Sequence, residues 1–191
     1  MRFLASLIFV AILPLYAQVY SPMTGSERSK FYVQDTFRVR SFLLSGPAVA
    51  AMRTWQDRPE EWDRNWEGFG KRYASRVAVN TISNSTEIGL GAIWKEDPRY
   101  FPKANGKVSS RIGEAARQAV LSRYSNGNYY FGAAKAAGMV AGSFTQKLYM
   151  PDSVISNRDC TVRIGGYYAG RFVSNLFEEF RPQIRKLFRR K

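Results

Sequence analysis

Residues 129–150 read YYFGAAKAAGMVAGSFTQKLYM. Only Lys135 and Lys147 are charged in this run, and the pattern predicts a long apolar helix over Tyr129–Met150. Ala134, Gly138 and Gly142 recur every four residues, so they share one helix face. Glycine inside a helix costs about 1 kcal/mol against alanine. Its repetition calls for a compensating gain, and close approach of a second helix backbone is the usual one. Gly166 and Gly170 repeat the spacing in a later helix, predicted over Thr161–Phe180 and stopped by Pro182. These segments imply a mainly α, single-domain helical bundle with small-residue helix–helix contacts. Small-residue spacing serves soluble bundles and membrane helices alike, and Tyr129–Met150 is the best candidate for a spanning segment. A mean hydropathy of −0.33 weighs against several such spans.

Upstream of this run, Ser125-Asn126-Gly127-Asn128 reads as a loop, and Val108, Ile112, Ala115, Ala116 and Ala119 give a helical stripe with Arg111, Arg117 and Arg123 off it. Earlier still, Asp57-Arg58-Pro59-Glu60 looks like a helix start. Trp62, Trp66, Phe69, Tyr73 and Val77 then fall on one face as a core stripe. The polar set Asn80, Thr81, Ser83, Asn84, Ser85 and Thr86 predicts a break within residues 78–94. Ser45-Gly46-Pro47 opens a short helix to about Gln56, and Ser29–Leu44 is read as helical.

The N-terminus carries Met1-Arg2, a largely apolar run of eleven residues from Phe3 to Leu13, then Pro14 and Ala17. That order matches a secretion signal, and the run is short of the ~20 residues a spanning helix needs. Cleavage is expected after Ala17. The expected organisation is a signal peptide over 1–17, a mobile leader over 18–30, a helical domain over 31–182 and a basic amphipathic tail over 183–191. Cys160 is the one cysteine, which excludes an intramolecular disulfide, and burial is its expected state.

The chain has 29 basic and 15 acidic residues, a net charge of +14. Residues 98–191 hold 17 of the basic side chains and 5 of the acidic ones, so the positive field belongs to the second half. It ends in Arg181, Arg185, Lys186, Arg189, Arg190 and Lys191, with Ile184, Leu187 and Phe188 at helical spacing between them. A short amphipathic helix on an anionic surface has that pattern. The expected partners are an anionic membrane surface or an acidic envelope polymer, with self-association into a homo-oligomer left open. Nucleic acid is not expected, since export removes the chain from it and no recognition spacing is present.

With no histidine, the commonest general base and metal ligand is missing. No cofactor and no metal site are expected. Carboxylate chemistry on a cell-wall glycan needs only Asp and Glu. Its candidates are Glu67, Glu87 and the Glu96-Asp97 pair, with Glu87 the most interesting because it lies in a polar notch. Glu60 and Glu61 read as capping charges, and Glu67 as the partner of Lys71 one turn on. The favoured reading is a non-catalytic binding or structural component of the periplasm or outer envelope; a cell-wall glycan hydrolase or lyase is the alternative.

Three motifs, Gly68-Phe69-Gly70-Lys71-Arg72-Tyr73, Glu96-Asp97-Pro98-Arg99-Tyr100-Phe101 and Asn175-Leu176-Phe177-Glu178-Glu179-Phe180-Arg181-Pro182, give the chain a family likeness. Over about residues 45–190 it resembles an uncharacterised family of exported bacterial proteins. The resemblance implies export and carries no activity, cofactor or catalytic residue. The short loop after the Arg111 helix and the surroundings of Cys160 depart from the family pattern. Physically, Arg99 is placed to pair with Glu96, Asp97 or the Glu178-Glu179 pair, as a loop clasp.

Overall fold

A computed structural model describes residues 20–188. The expected signal segment 1–17 lies outside the described residues, as do Arg189, Arg190 and Lys191. The protein is mainly helical: six α-helices with a small antiparallel sheet among the described residues.

The expected mobile leader is bound to the fold from Tyr20 onward. Thr24 and Glu27 form a reciprocal capping box that opens α1 (Gly25–Thr36). The Arg123 guanidinium sits 4.2 Å from the Tyr20 ring centre, Phe101 meets that ring edge-on, and the Tyr20 hydroxyl donates to Asp97 at 3.2 Å. These contacts fix a polar segment that by composition looks unattached.

A π-helical turn over Arg40–Ser45 leads into α2 (Gly46–Trp55), with Pro47 in its first turn. The next helix starts later than Asp57 suggests. Asp57 and Asp63 take positive φ, Glu60–Trp62 is a single 3-10 turn, and Asn65 caps α3 (Trp66–Ile93) by accepting from the Gly68 amide. Arg72 explains the displacement. Its buried guanidinium donates to the carbonyls of Arg58, Pro59, Trp62 and Asp63, gathering the turn onto the first turns of α3. A Cβ at Gly68 would overlap the Trp62 and Asp63 carbonyl oxygens, so this close approach requires glycine.

α3 runs unbroken through the polar stretch where a break is expected. Asn80 and Asn84 donate to the carbonyl and hydroxyl of Thr36, so the notch is the seat of α1 rather than a bend. The sheet follows: β1 (Glu96–Asp97) pairs with β2 (Leu121–Tyr124), which pairs with β3 (Tyr129–Phe131). Between β1 and β2 lies α4 (Val108–Val120). The β2–β3 hairpin turns at Gly127, whose φ is +81°.

Tyr129–Phe131 is therefore strand, and the apolar helix is α5 (Ala133–Thr145), shorter than expected. α6 runs Asn157–Phe188, straight through Pro182. It crosses α4, where Asn175 donates to the Ala115 carbonyl at 3.0 Å, and it packs on α5, where the buried Cys160 lies 3.6 Å from the Ser143 carbonyl. Cys160 joins Met150, Ile155, Val154 and Trp62 in a small apolar cluster.

Candidate functional site

Glu87 lies in the C-terminal third of α3, buried, with Arg171 of α6 donating to its Oε2. α5 crosses directly over it, with Gly138 against its backbone. Its Oε1 has no hydrogen-bond partner among the described residues. Glycoside chemistry needs two carboxyl groups flanking an open groove. Glu87 instead faces a guanidinium beneath a helix, which is the placement of an internal tie. Glu67 is solvent-exposed and pairs with Lys71 at 2.7 Å.

Glu96 and Asp97 are both buried and both spent on structure. Glu96 accepts the Ala134 and Lys135 amides at 2.9 and 3.4 Å and the Tyr124 hydroxyl at 3.1 Å. A carboxylate there satisfies the unpaired N–H groups at the start of α5 and complements its dipole. Asp97 takes Arg99 in a two-pronged ion pair, the closest contact being 2.6 Å, so Arg99 chooses Asp97 among its candidate partners. Burial, reinforced by the Asp97 charge, pushes the Tyr20 hydroxyl up to about 12.

Lys135 is a further buried cation on α5, donating to the carbonyls of Gln118 and Leu121 at 2.9 and 3.2 Å. Desolvation, with the Arg171 charge adding to it, pulls its ammonium down from 10.5 to about 8. In the folded state it binds fewer protons than in the unfolded state between these values. Stability should therefore rise as pH is raised from 8 to 10, and Lys135→Met should flatten that rise. Urea midpoints across this pH range check the expectation; an equal rise in the variant contradicts it.

Glu179, at 1% exposure, is the most connected side chain of α6. It accepts from Tyr100 Oη at 2.6 Å, the Lys103 and Ala104 amides at 2.9 and 3.1 Å, and Arg111 Nε at 2.7 Å. Arg111 also donates to the Glu179 carbonyl and stacks over Phe180 at 4.3 Å. Arg111, placed off the apolar stripe by sequence, is thus buried. Burial works against the Glu179 carboxylate, but its donors outweigh that and hold it below its ordinary value; burial and the Glu179 hydrogen bond push Tyr100 up.

These interior ties leave a core of few large apolar side chains. The buried hydrophobics are largely Ala50, Ala115, Ala119 and Ala134, with Val79, Ile88 and Met139. Large ones lie outside: Trp66 is 87% exposed, Leu148 83% and Trp55 80%. On α6 the outward face carries Val162, Gly166, Ala169, Val173, Phe177 and Leu187, all exposed and at helical spacing. Gly166 and Gly170 are therefore corrected as helix-packing residues: a Cβ at either meets nothing within 4 Å. Ala134, Gly138 and Gly142 face the other way. Ala134 is fully buried, and Gly138 and Gly142 press on α3 at Ser83, Glu87 and Val79. At the end of α6, Arg181, Arg185 and Lys186 are exposed and Ile184 is half-buried. Arg181 pairs with Glu178 at 3.2 Å. The helix reaches this tail without a separate hinge, because α6 continues past Pro182.

Among the described residues, no helix is long and apolar enough to cross a membrane, and no three His, Cys, Asp or Glu side chains converge as metal ligands would. Comparison with family models, curated proteins and solved structures finds no match.

Proposed function

We propose that this chain is exported, with residues 1–17 as its cleaved signal, and that the mature domain is a non-catalytic envelope component held against an anionic membrane surface. The observation that supports this reading is the outward face of α6. Val162, Ala169, Val173, Phe177 and Leu187 stand in solvent along one helix, and Arg181, Arg185 and Lys186 flank the end of the same line. An apolar stripe beside cations is what an interfacial helix needs: the stripe enters the acyl boundary while the cations meet headgroup charge. A bare apolar surface of this extent marks a binding face in a soluble domain. The resemblance to exported bacterial proteins and the positive field of residues 98–191 point the same way.

Co-sedimentation with phosphatidylglycerol vesicles tests it. The full-length mature protein should bind at low salt and be released as salt is raised, with weaker retention on phosphatidylcholine. Each basic residue near such a surface contributes about 1 kcal/mol. Arg185→Gln combined with Lys186→Gln should therefore weaken binding by about 2 kcal/mol, roughly thirtyfold. Equal binding of both proteins would overturn the role given to α6.

A further inference from the structure

A cavity of about 400 Å³ opens between the π-helical turn, α2, α3 and α6, and four arginines line it: Arg53, Arg72, Arg76 and Arg163. No carboxylate lines it. Arg72 is committed to its four carbonyls, as described above. Arg163 donates to the Val154 carbonyl at 3.1 Å and to Gln146, so it is held in place. The side chains of Arg53 and Arg76 have no hydrogen-bond or ion-pair partner among the described residues. A second cavity, of about 410 Å³, adjoins the first through Arg53 and Arg163 and adds Arg58 to the same wall. Its one carboxylate, Asp159, accepts the amide and hydroxyl of Ser156 at 2.8 and 2.6 Å at the start of α6. The lining of the first cavity also includes apolar side chains from the same elements, Phe42, Val49, Ala50, Val77 and Val79.

We propose that this cavity binds a phosphate group, with Arg53, Arg76 and Arg163 as its cationic donors and the apolar lining taking whatever the phosphate is esterified to. Guanidinium forks match phosphate oxygens in geometry and stay charged at any physiological pH. Arg53 and Arg76 reach solvent at the cavity, Asp159 acts on Arg163 from the adjoining one, and the guanidiniums repel one another: desolvation followed by the Arg163 and Arg76 charges holds the Arg53 guanidinium below its ordinary value. An anion carrying two charges removes that repulsion and uses donors that the fold leaves open. Leu43, Leu44, Met52 and Trp55, on the turn and helix that form one wall, are exposed, so an apolar ester can continue from the cavity onto the surface. This site meets the outward face of α6 only at Gly166, which lines the cavity, and it extends the membrane reading by naming a chemical group.

Isothermal titration of the mature protein with inorganic phosphate, and with soluble dihexanoyl phosphatidic acid below its micelle concentration, tests the assignment. The comparison variant is Arg53→Gln with Arg76→Gln; neither side chain ties the fold together, and thermal melting should show a midpoint equal to or above the wild type. Binding of both probes to the wild type, weakened at least tenfold in the variant, identifies the phosphate itself as the ligand. Binding of the lipid alone, with the same loss, identifies a phosphate carried on an acyl group. Absence of both, or affinity that the double variant keeps within twofold, overturns the proposal. Both probes are soluble, so failure here leaves the vesicle result through Arg185 and Lys186 untouched, and the reverse holds.

Discussion

Glu179→Ala should lower the unfolding free energy by about 3–5 kcal/mol, the range for breaking one side of a buried ion pair. The substitution leaves the Arg111 guanidinium, buried in the α4–α6 contact, with a backbone carbonyl but no counter-ion, and removes the acceptor of the Tyr100 hydroxyl and of the Lys103 and Ala104 amides. Each stranded donor pays its desolvation without return. Arg111→Met together with Glu179→Leu should recover part of the loss, because the uncompensated charge leaves with its partner. The same carboxylate gives a pH signature. Its hydrogen bonds hold it below the ordinary 4.5, so its contribution is complete above that value and is lost as pH falls through the folded one. Urea unfolding at pH 7 and pH 3.5 reads both effects. A loss under 1 kcal/mol at pH 7 would mean that the α4–α6 contact is held by something else.

Gly138→Ala and Gly166→Ala should shift stability in opposite directions. At Gly138 the new methyl would sit 2.5 Å from the Ser83 carbonyl oxygen and 3.2 Å from the Glu87 amide, both α3 backbone that cannot step aside. Overpacking of this kind costs 1–3 kcal/mol, and at a backbone contact the upper part of the range, about 2–3 kcal/mol, is expected in spite of the better helix former. Gly142→Ala meets the Ser83 hydroxymethyl group and the Val79 carbonyl, and should also destabilise. At Gly166 and Gly170 there is open space, so alanine should raise stability by about 1 kcal/mol at each. Chemical denaturation of the four single variants decides this. Destabilisation at 166 or 170 would contradict the open space found at these positions.

That contrast marks how much of the fold was legible in the sequence. The spacing Ala134-Gly138-Gly142 identifies a close helix contact, and the same spacing at Gly166-Gly170 does not, because periodicity shows that residues share a face and not what that face meets. The helical class, the Val108 helix and the Glu67–Lys71 pair follow from local pattern. Elements that depend on remote partners do not. Arg72 pulls residues 58–63 out of the helix that Asp57 and Pro59 suggest, and Thr36 turns the apparent break at Asn80 and Asn84 into a docking notch. Tyr129–Phe131 looks helical beside the alanines but is taken by β2. Of the site candidates, Glu87 stands out in sequence as a polar residue among apolar ones, and its partner Arg171 lies 84 positions away. The arginines of the cavity come from three helices, and in sequence they are only part of a charge sum.

The anchoring of Tyr20 has a consequence for the proposed export. Under the proposed cut after Ala17, two residues would separate the scissile bond from a ring clamped by Arg123, Phe101 and Asp97. A protease cleft needs several residues of extended substrate on each side of the bond it cuts, and a domain already closed around Tyr20 leaves too little slack on one side. Maturation would then run in sequence, with translocation first, hydrolysis second, and seating of the aromatic ring as the step that completes the domain.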